Sequence, residues 1–421
     1  MSFLRPGFRG ERALVTGIAI DATGSGMYVP FSLVFFRHVT GLPLTVIGLV
    51  LTATGLVGVA ALPVAGAAVD RFGARGVQLS LYVLRGVSFA CFPLADHLLT
   101  FAGLALLTAV GTRAFPAVLQ ARIAELVDGT DRDRMQALQR SLGNAGLGAG
   151  TLIASLLIAT AGDAGYLFAA YLNAASFIIA ALLALRTPVS VAPAAKNPAA
   201  PGGSYRMVAR DRPFLTLILA NLLVALGYTS LTVLLPIYAV GWLDMPQGLT
   251  GVAFLVNTVL CATLGVPVAA LARRRFTTRS RAAAGGAAMF ATAFLVQILL
   301  GTVRPHNVPL LMAGVLTAVI IMTAGELVHS PASGALSQAA APRALRGRYL
   351  AAYQLSWSIA YALTPTLFTA LLAVDGRLPW LLVTVTTLLG GLLLLRVERS
   401  LPAEAVRYPA PPVTAAATSP A

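Results

Sequence analysis

Asp21, Arg113 and Glu326 are ionisable residues inside long apolar runs. A charge held in hydrocarbon must face a water-filled cavity, pair with an opposite charge or, if acidic, take up a proton. Asp21 is nine residues into a run that begins near residue 13, and at a rise of about 1.5 Å per residue it lies roughly 13 Å up, near the middle of a bilayer. Glu326 is expected to be a second proton site or a contact for a cationic substrate, with His329 three residues on along the same helical face. The residues leave two plainer uses open: a permanent structural pair for Asp21, and a Glu326 that reaches back to the membrane surface. Arg85, in a third apolar run, is given no function. His38, His97, His306 and His329 lack metal-ligand spacing. Phosphate-cradling glycine loops are missing from the sequence too. The expectation is no enzyme, no cofactor and no metal, with work drawn from an ion or substrate gradient.

These residues have to be positioned by membrane-crossing elements. Hydrophobic residues make up 57% of 421 and charged residues 11%, with a mean hydropathy of +0.82, more apolar surface than a soluble core of this length could hide. Taking about 20 residues per crossing, twelve spans are expected near 13–36, 43–69, 77–95, 99–121, 142–160, 165–185, 214–240, 248–272, 282–302, 308–331, 350–374 and 379–395. The net charge of +15 does not point to nucleic acid, because the basic residues alternate between loops. With the N-terminus inside, 25 of the 30 fall on the inner face, and Arg37, Arg304 and Arg377 fall outside. That asymmetry predicts a multi-pass plasma-membrane protein with both termini cytoplasmic. Lys196 is the single lysine in an alanine- and arginine-rich chain, a composition that suits a bacterial source. Cys91 and Cys261 lie within apolar runs and are expected to be buried hydrophobes.

A thirteen-residue stretch occurs twice, 204 positions apart: Pro63–Arg75 reads PVAGAAVDRFGAR and Pro267–Arg279 reads PVAALARRRFTTR, with seven identities. Duplication of a six-helix unit follows: an all-α membrane fold with an N-terminal bundle (1–185), a Pro/Ala/Gly cytoplasmic linker (186–212), a C-terminal bundle (213–396) and a disordered tail (397–421). The segment from Gly66 to Arg75 resembles the signature between the second and third helices of the major facilitator superfamily. Span count, 6+6 division and linker extend the resemblance over the whole chain. It implies a conformational latch at Asp70, Arg71 and Arg75, with Gly66 allowing close helix approach and Gly73 a turn of positive φ. The second copy has Arg274 where the acid would be, so the device is expected to be asymmetric.

The run Gly111 to Pro116 resembles the superfamily's buried-arginine motif, though Pro116 departs from it. Gly143, Gly146, Gly148 and Gly150 resemble the glycine-rich motif of its antiporters without that motif's proline; the same spacing serves close helix packing. Asp21 resembles the first-helix acid of the drug/proton antiporters, and since the first and fourth helices adjoin in the superfamily fold, the resemblance implies Arg113 as its cationic partner. Residues that either line a cavity or pack a core are Tyr28, Phe31, Asn144, Asn173, Asn221, Tyr228, and the stripe Tyr353, Trp357 and Tyr361 at every fourth position. The resemblance implies a monomeric exporter of small amphipathic compounds in exchange for protons, by alternating access. The alternative is an importer or facilitator of a sugar or organic anion, for which Arg113 would touch substrate.

Overall fold

In the computed structural model the described residues are 10–127, 129–188, 205–246, 249–342 and 345–408, and among them the only strand-like pairing is a bridge between Thr278 and Arg407. Twelve apolar helices run in chain order: α1 (Glu11–Thr40), α2 (Leu44–Ala60), α3 (Arg71–Leu94), α4 (Leu98–Ile123), α5 (Ser141–Ala161), α6 (Asp163–Ala184), α7 (Arg212–Gly241), α8 (Thr250–Arg275), α9 (Arg279–Val303), α10 (Val308–Ala340), α11 (Arg348–Val374) and α12 (Leu378–Ser400). Ten of them are each long and apolar enough to cross a bilayer; α8 is bent by 64° between Gly265 and Pro267, where proline removes a backbone donor. α2 has only 17 residues. It is prolonged by the helix Leu62–Cys91, which breaks at Gly73 with φ 77° and ψ 151°, a conformation that a side chain would strain. The part before Arg71 prolongs the second crossing, and α3 carries the break in its first turn. All twelve helices overlap the twelve expected spans, and the all-α fold class is as expected.

Each half has its own apolar interior. Phe35, Phe36, Phe92 and Phe101 centre the first, and Tyr238, Phe290, Phe294 and Trp380 the second. Of the linker, 189–204 lies outside the described residues; beyond it Asp211 caps α7, its carboxylate accepting from Phe214 N at 3.1 Å. The tail is ordered further than expected. A helical turn, α13 (Ala403–Val406), buries Ala405 and Val406 in the C-terminal half, and Arg279 donates to the Ala405 carbonyl at 2.8 Å. Disorder from 397 is therefore wrong for 397–408, because small apolar residues there find a groove and an arginine to hold the backbone; 409–421 lies outside the described residues.

The halves meet across α2 and α11 and across α5 and α8, in the parts of these helices away from the linker. Thr366 donates from its hydroxyl to Gly48 O at 3.0 Å and to Thr52 Oγ1 at 2.8 Å. A Cβ on Gly48 would lie 2.6 Å from Pro365 O, and one on Gly251 would lie 2.6 Å from Ser155 Cβ. Such a seam admits no added volume, and overpacking typically costs about 1–3 kcal/mol. Gly251→Leu should therefore part the halves at this seam. The measurement is alkylation of Ile237→Cys, a position buried against the N-terminal half, in a background lacking Cys91 and Cys261; the rate should rise roughly 5- to 150-fold. An unchanged rate would show that the halves do not separate here.

Candidate functional site

Asp21 is 9% exposed, and its partner is Arg85: Nη1 lies 3.2 Å from Oδ1. Arg85 also donates to Ser25 Oγ at 3.3 Å, and its guanidinium is 4.0 Å above the Phe177 ring and 4.9 Å from that of Phe115. Two aromatic faces and one carboxylate thus replace the water the cation has lost. The expected pairing with Arg113 is corrected. α1 packs on α5 and α6, whereas α4 packs on α2 and α3, so α4 does not bring its arginine to the first span. Gln78, Tyr82 and Arg85 are buried together at positions i, i+4 and i+7 of α3. That polar stripe was the sequence signal for Arg85.

Arg113 instead lies beside α2, where a Cβ on Gly58 would be 3.1 Å from its Cγ, and reaches across to the other half, 5.9 Å from the centre of the Tyr361 ring. Tyr361 is 42% exposed in mid-helix, so it faces a gap between the halves. Glu326, half-buried on α10, has its Oε2 3.2 Å from Asn257 Nδ2, which donates to it and to Thr323 Oγ1 at 2.9 Å. Tyr361 interacts electrostatically with both Glu326 and Arg113. A carboxylate from one half and a guanidinium from the other are therefore both within electrostatic reach of one phenol. Trp357 stacks along from Tyr361 at 6.3 Å, and Tyr228 meets Trp357 edge-on at 5.0 Å. His329 is 1% exposed and its Nδ1 lies 2.8 Å from the Ala283 carbonyl. Since a carbonyl only accepts, the neutral ring carries its proton on Nδ1.

Other candidates are placed elsewhere. Tyr28 packs against Phe89, Phe36 and Phe35 at 4.4–5.8 Å, and Phe31 is 4% exposed; both are core residues of the N-terminal half. Asn173 is buried against α1, whose Gly24 would put a Cβ 2.8 Å from its Oδ1. Asn221 donates to Ser356 Oγ at 2.6 Å and accepts from Tyr353 Oη at 2.7 Å, while Ser333 and Tyr353 share a hydrogen bond of 2.6 Å, so this group ties α7, α10 and α11. Asn144 is exposed on α5. Gly146 and Gly150 do admit α1, with added Cβ atoms 2.6 Å from Ala22 Cβ and 2.8 Å from Met27 N, and Gly148 meets Thr258 of the other half at 2.7 Å. Gly143 and Gly66 face open space, so the close approach expected at these two does not occur.

In the latch loop, Arg71 is exposed above Phe72 at 5.2 Å, and the side chain of Asp70 lies outside the described residues. Arg75 donates to the carbonyls of Ala184 at 3.4 Å and Leu185 at 2.5 Å. A buried network beside it escaped sequence reasoning. Arg122, fully enclosed, pairs with Glu125 at 2.9 Å and donates to Thr187 Oγ1 at 2.9 Å, and Glu125 accepts from Ala74 N at 3.0 Å. Opposite charges three apart at the end of α4 were its only signal.

Comparison with known proteins bears on the family and the fold. The family model described as Major Facilitator Superfamily matches residues 14–325, more than half of the 421. Multidrug resistance protein MdtH of Edwardsiella ictaluri (strain 93-146) is 26% identical over 350 residues, covering 80% of this chain and 81% of that protein. The protein of the same name from Yersinia pestis (strain Pestoides F) matches to the same extent. A bacterial homologue of the iron transporter ferroportin, solved in an inward-facing state, superposes with a TM-score of 0.76 at 15% identity, covering 93% of this chain and 99% of that one. A D-xylose-proton symporter gives 0.69 at 16%, covering 94% and 98%. At these identities the structures speak to the fold. Family model, relatives and fold agree: the chain is a multi-pass membrane transporter rather than an enzyme, and it belongs to the major facilitator superfamily.

Proposed function

We propose that this transporter exports small amphipathic compounds, cations among them, in exchange for protons, and that Glu326 is where the two compete. The observation that carries this reading is that Glu326 and Arg113, on opposite halves, both act electrostatically on Tyr361, whose exposed ring neighbours Trp357 and through it Tyr228. Aromatic faces suit the flat apolar part of a substrate and attract its positive charge, and two relatives bear the name multidrug resistance protein. One carboxylate cannot hold a proton and a cation together, so occupation by either excludes the other. Arg113 rides on the other half. As the halves rock about the site, its distance from Glu326 changes, and with it the preference of the carboxylate between proton and cation.

Charge asymmetry supports a linker face in the cytoplasm of a bacterial plasma membrane. The seam near Gly48 and Gly251 then closes the outer side, and substrate enters from within. The latch of Arg71 and Arg75, with Asp70, steadies the alternative state. Asp21, sealed against Arg85, holds the N-terminal half together, so coupling passes to Glu326. The chain works as a monomer and has no nucleic-acid partner. Because Arg113 has no partner in Asp21 and faces the gap, import or facilitated passage of an organic anion is the second reading; the direction of flux in whole cells separates the two.

Two measurements test the assignment. In everted vesicles Glu326→Gln should bind a lipophilic cation such as ethidium at least tenfold more weakly and export none in response to a pH gradient; gradient-driven export at the parental rate would exclude Glu326 from coupling. Asp21→Asn leaves Arg85 buried without its counter-charge, a loss of about 3–5 kcal/mol, so its thermal midpoint in detergent should fall by several degrees, and Asp21→Asn with Arg85→Gln should recover much of it. An Asp21→Asn protein as stable as its parent that exports without proton coupling would return that role to Asp21.

A further inference from the structure

On the linker face of the C-terminal half a cavity of about 180 Å³ opens between α8, α10 and the C-terminal segment. Its floor is apolar, with Ala272 of α8 and Val328 and Ala332 of α10; its rim carries Arg273, Arg279 and Tyr408. Arg279 uses Nη1 on the carbonyls of Glu404 and Ala405, and its guanidinium lies 5.8 Å from the centre of the Tyr408 ring, while its Nε is buried without a hydrogen-bond partner. Arg273, exposed in the last turn of α8, has no ion pair among the described residues, and both arginines act electrostatically on the Tyr408 phenol. The nearby acid Glu398 is engaged elsewhere, 3.3 Å from Arg281 and accepting from Thr278 Oγ1 at 2.9 Å. Arg273, Arg279 and Tyr408 thus bring three donor side chains to the rim of a cavity whose floor is apolar.

A small hydrated anion would lose water against alanine and valine and gain nothing there. An anion joined to hydrocarbon fits both parts, and the cavity lies where helices leave the apolar layer. We propose that it binds the headgroup of an anionic phospholipid: the arginines and the tyrosine hydroxyl take the phosphate, and the first methylenes lie on the floor. A bound headgroup neutralises Arg273 and Arg279 and holds residues 402–408 against α8 and α9, making the order of this segment dependent on the inner leaflet. This inference is independent of the transported substrate.

Native mass spectrometry of the full chain, purified in detergent with added lipid, tests it. One phosphatidylglycerol should be retained per chain in preference to phosphatidylcholine. Arg273→Gln, at an exposed position, and Tyr408→Phe, which keeps the ring beneath Arg279, should each weaken retention by about fivefold, whereas Arg399→Gln, the same charge loss on the same face, should not. Equal retention of the two lipids, or equal loss in Arg399→Gln, would overturn the site. If millimolar inorganic phosphate displaces phosphatidylglycerol, the cavity is an anion site and the lipid assignment fails.

Discussion

A carboxylate in the middle of a bilayer must be given a counter-charge or face water, and the two deep acids of this chain meet that demand in opposite ways. Asp21 is closed in with Arg85, whose cation is further covered by Phe115 and Phe177. Glu326 has only an amide and an open gap. The first arrangement makes α1, α3, α4 and α6 one body. In the other half Asn221, Tyr353, Ser333 and Ser356 do the same for α7, α10 and α11 with neutral groups. Each half thus spends much of its buried polarity on internal cohesion.

The duplication seen in the sequence survives as a shared function of position. Arg75 and Arg279 are 204 residues apart. Each donates to backbone carbonyls at the end of its own half, Ala184 and Leu185 in one case and Glu404 and Ala405 in the other. A guanidinium satisfies carbonyls left over where a helix stops, so the repeated arginine survived while the acid before it did not. The acids recruited differ as well. Glu125 accepts from the first backbone donor after Gly73, whereas Glu398 accepts from the cap residue Thr278.

Hydropathy and arginine placement made the twelve crossings and their division legible, because a bilayer imposes length and composition on each helix separately. The partner of Asp21 was not legible in that way, since it depends on which helices adjoin. Spacing also failed along α11: Tyr353, Trp357 and Tyr361 share a face, yet Tyr353 is bonded in the interior and Tyr361 faces the gap. A helix that leaves the body of its half changes neighbours along its length, and periodicity does not record this. Glycines were ambiguous for the same reason. Gly146 and Gly150 admit α1, but Gly143, one turn earlier, meets nothing.

Where α2 meets α11 and α5 meets α8 the seam is rich in glycine, threonine and serine, joined through Thr366, Thr52 and the Gly48 carbonyl. Hydroxyls there also bond carbonyls of their own helix, as Thr369 does with Pro365, so separation strands few groups. Such a door has little latching strength of its own, so on the proposed exchange of proton for cation its swing would be set by the charge of the chamber behind it.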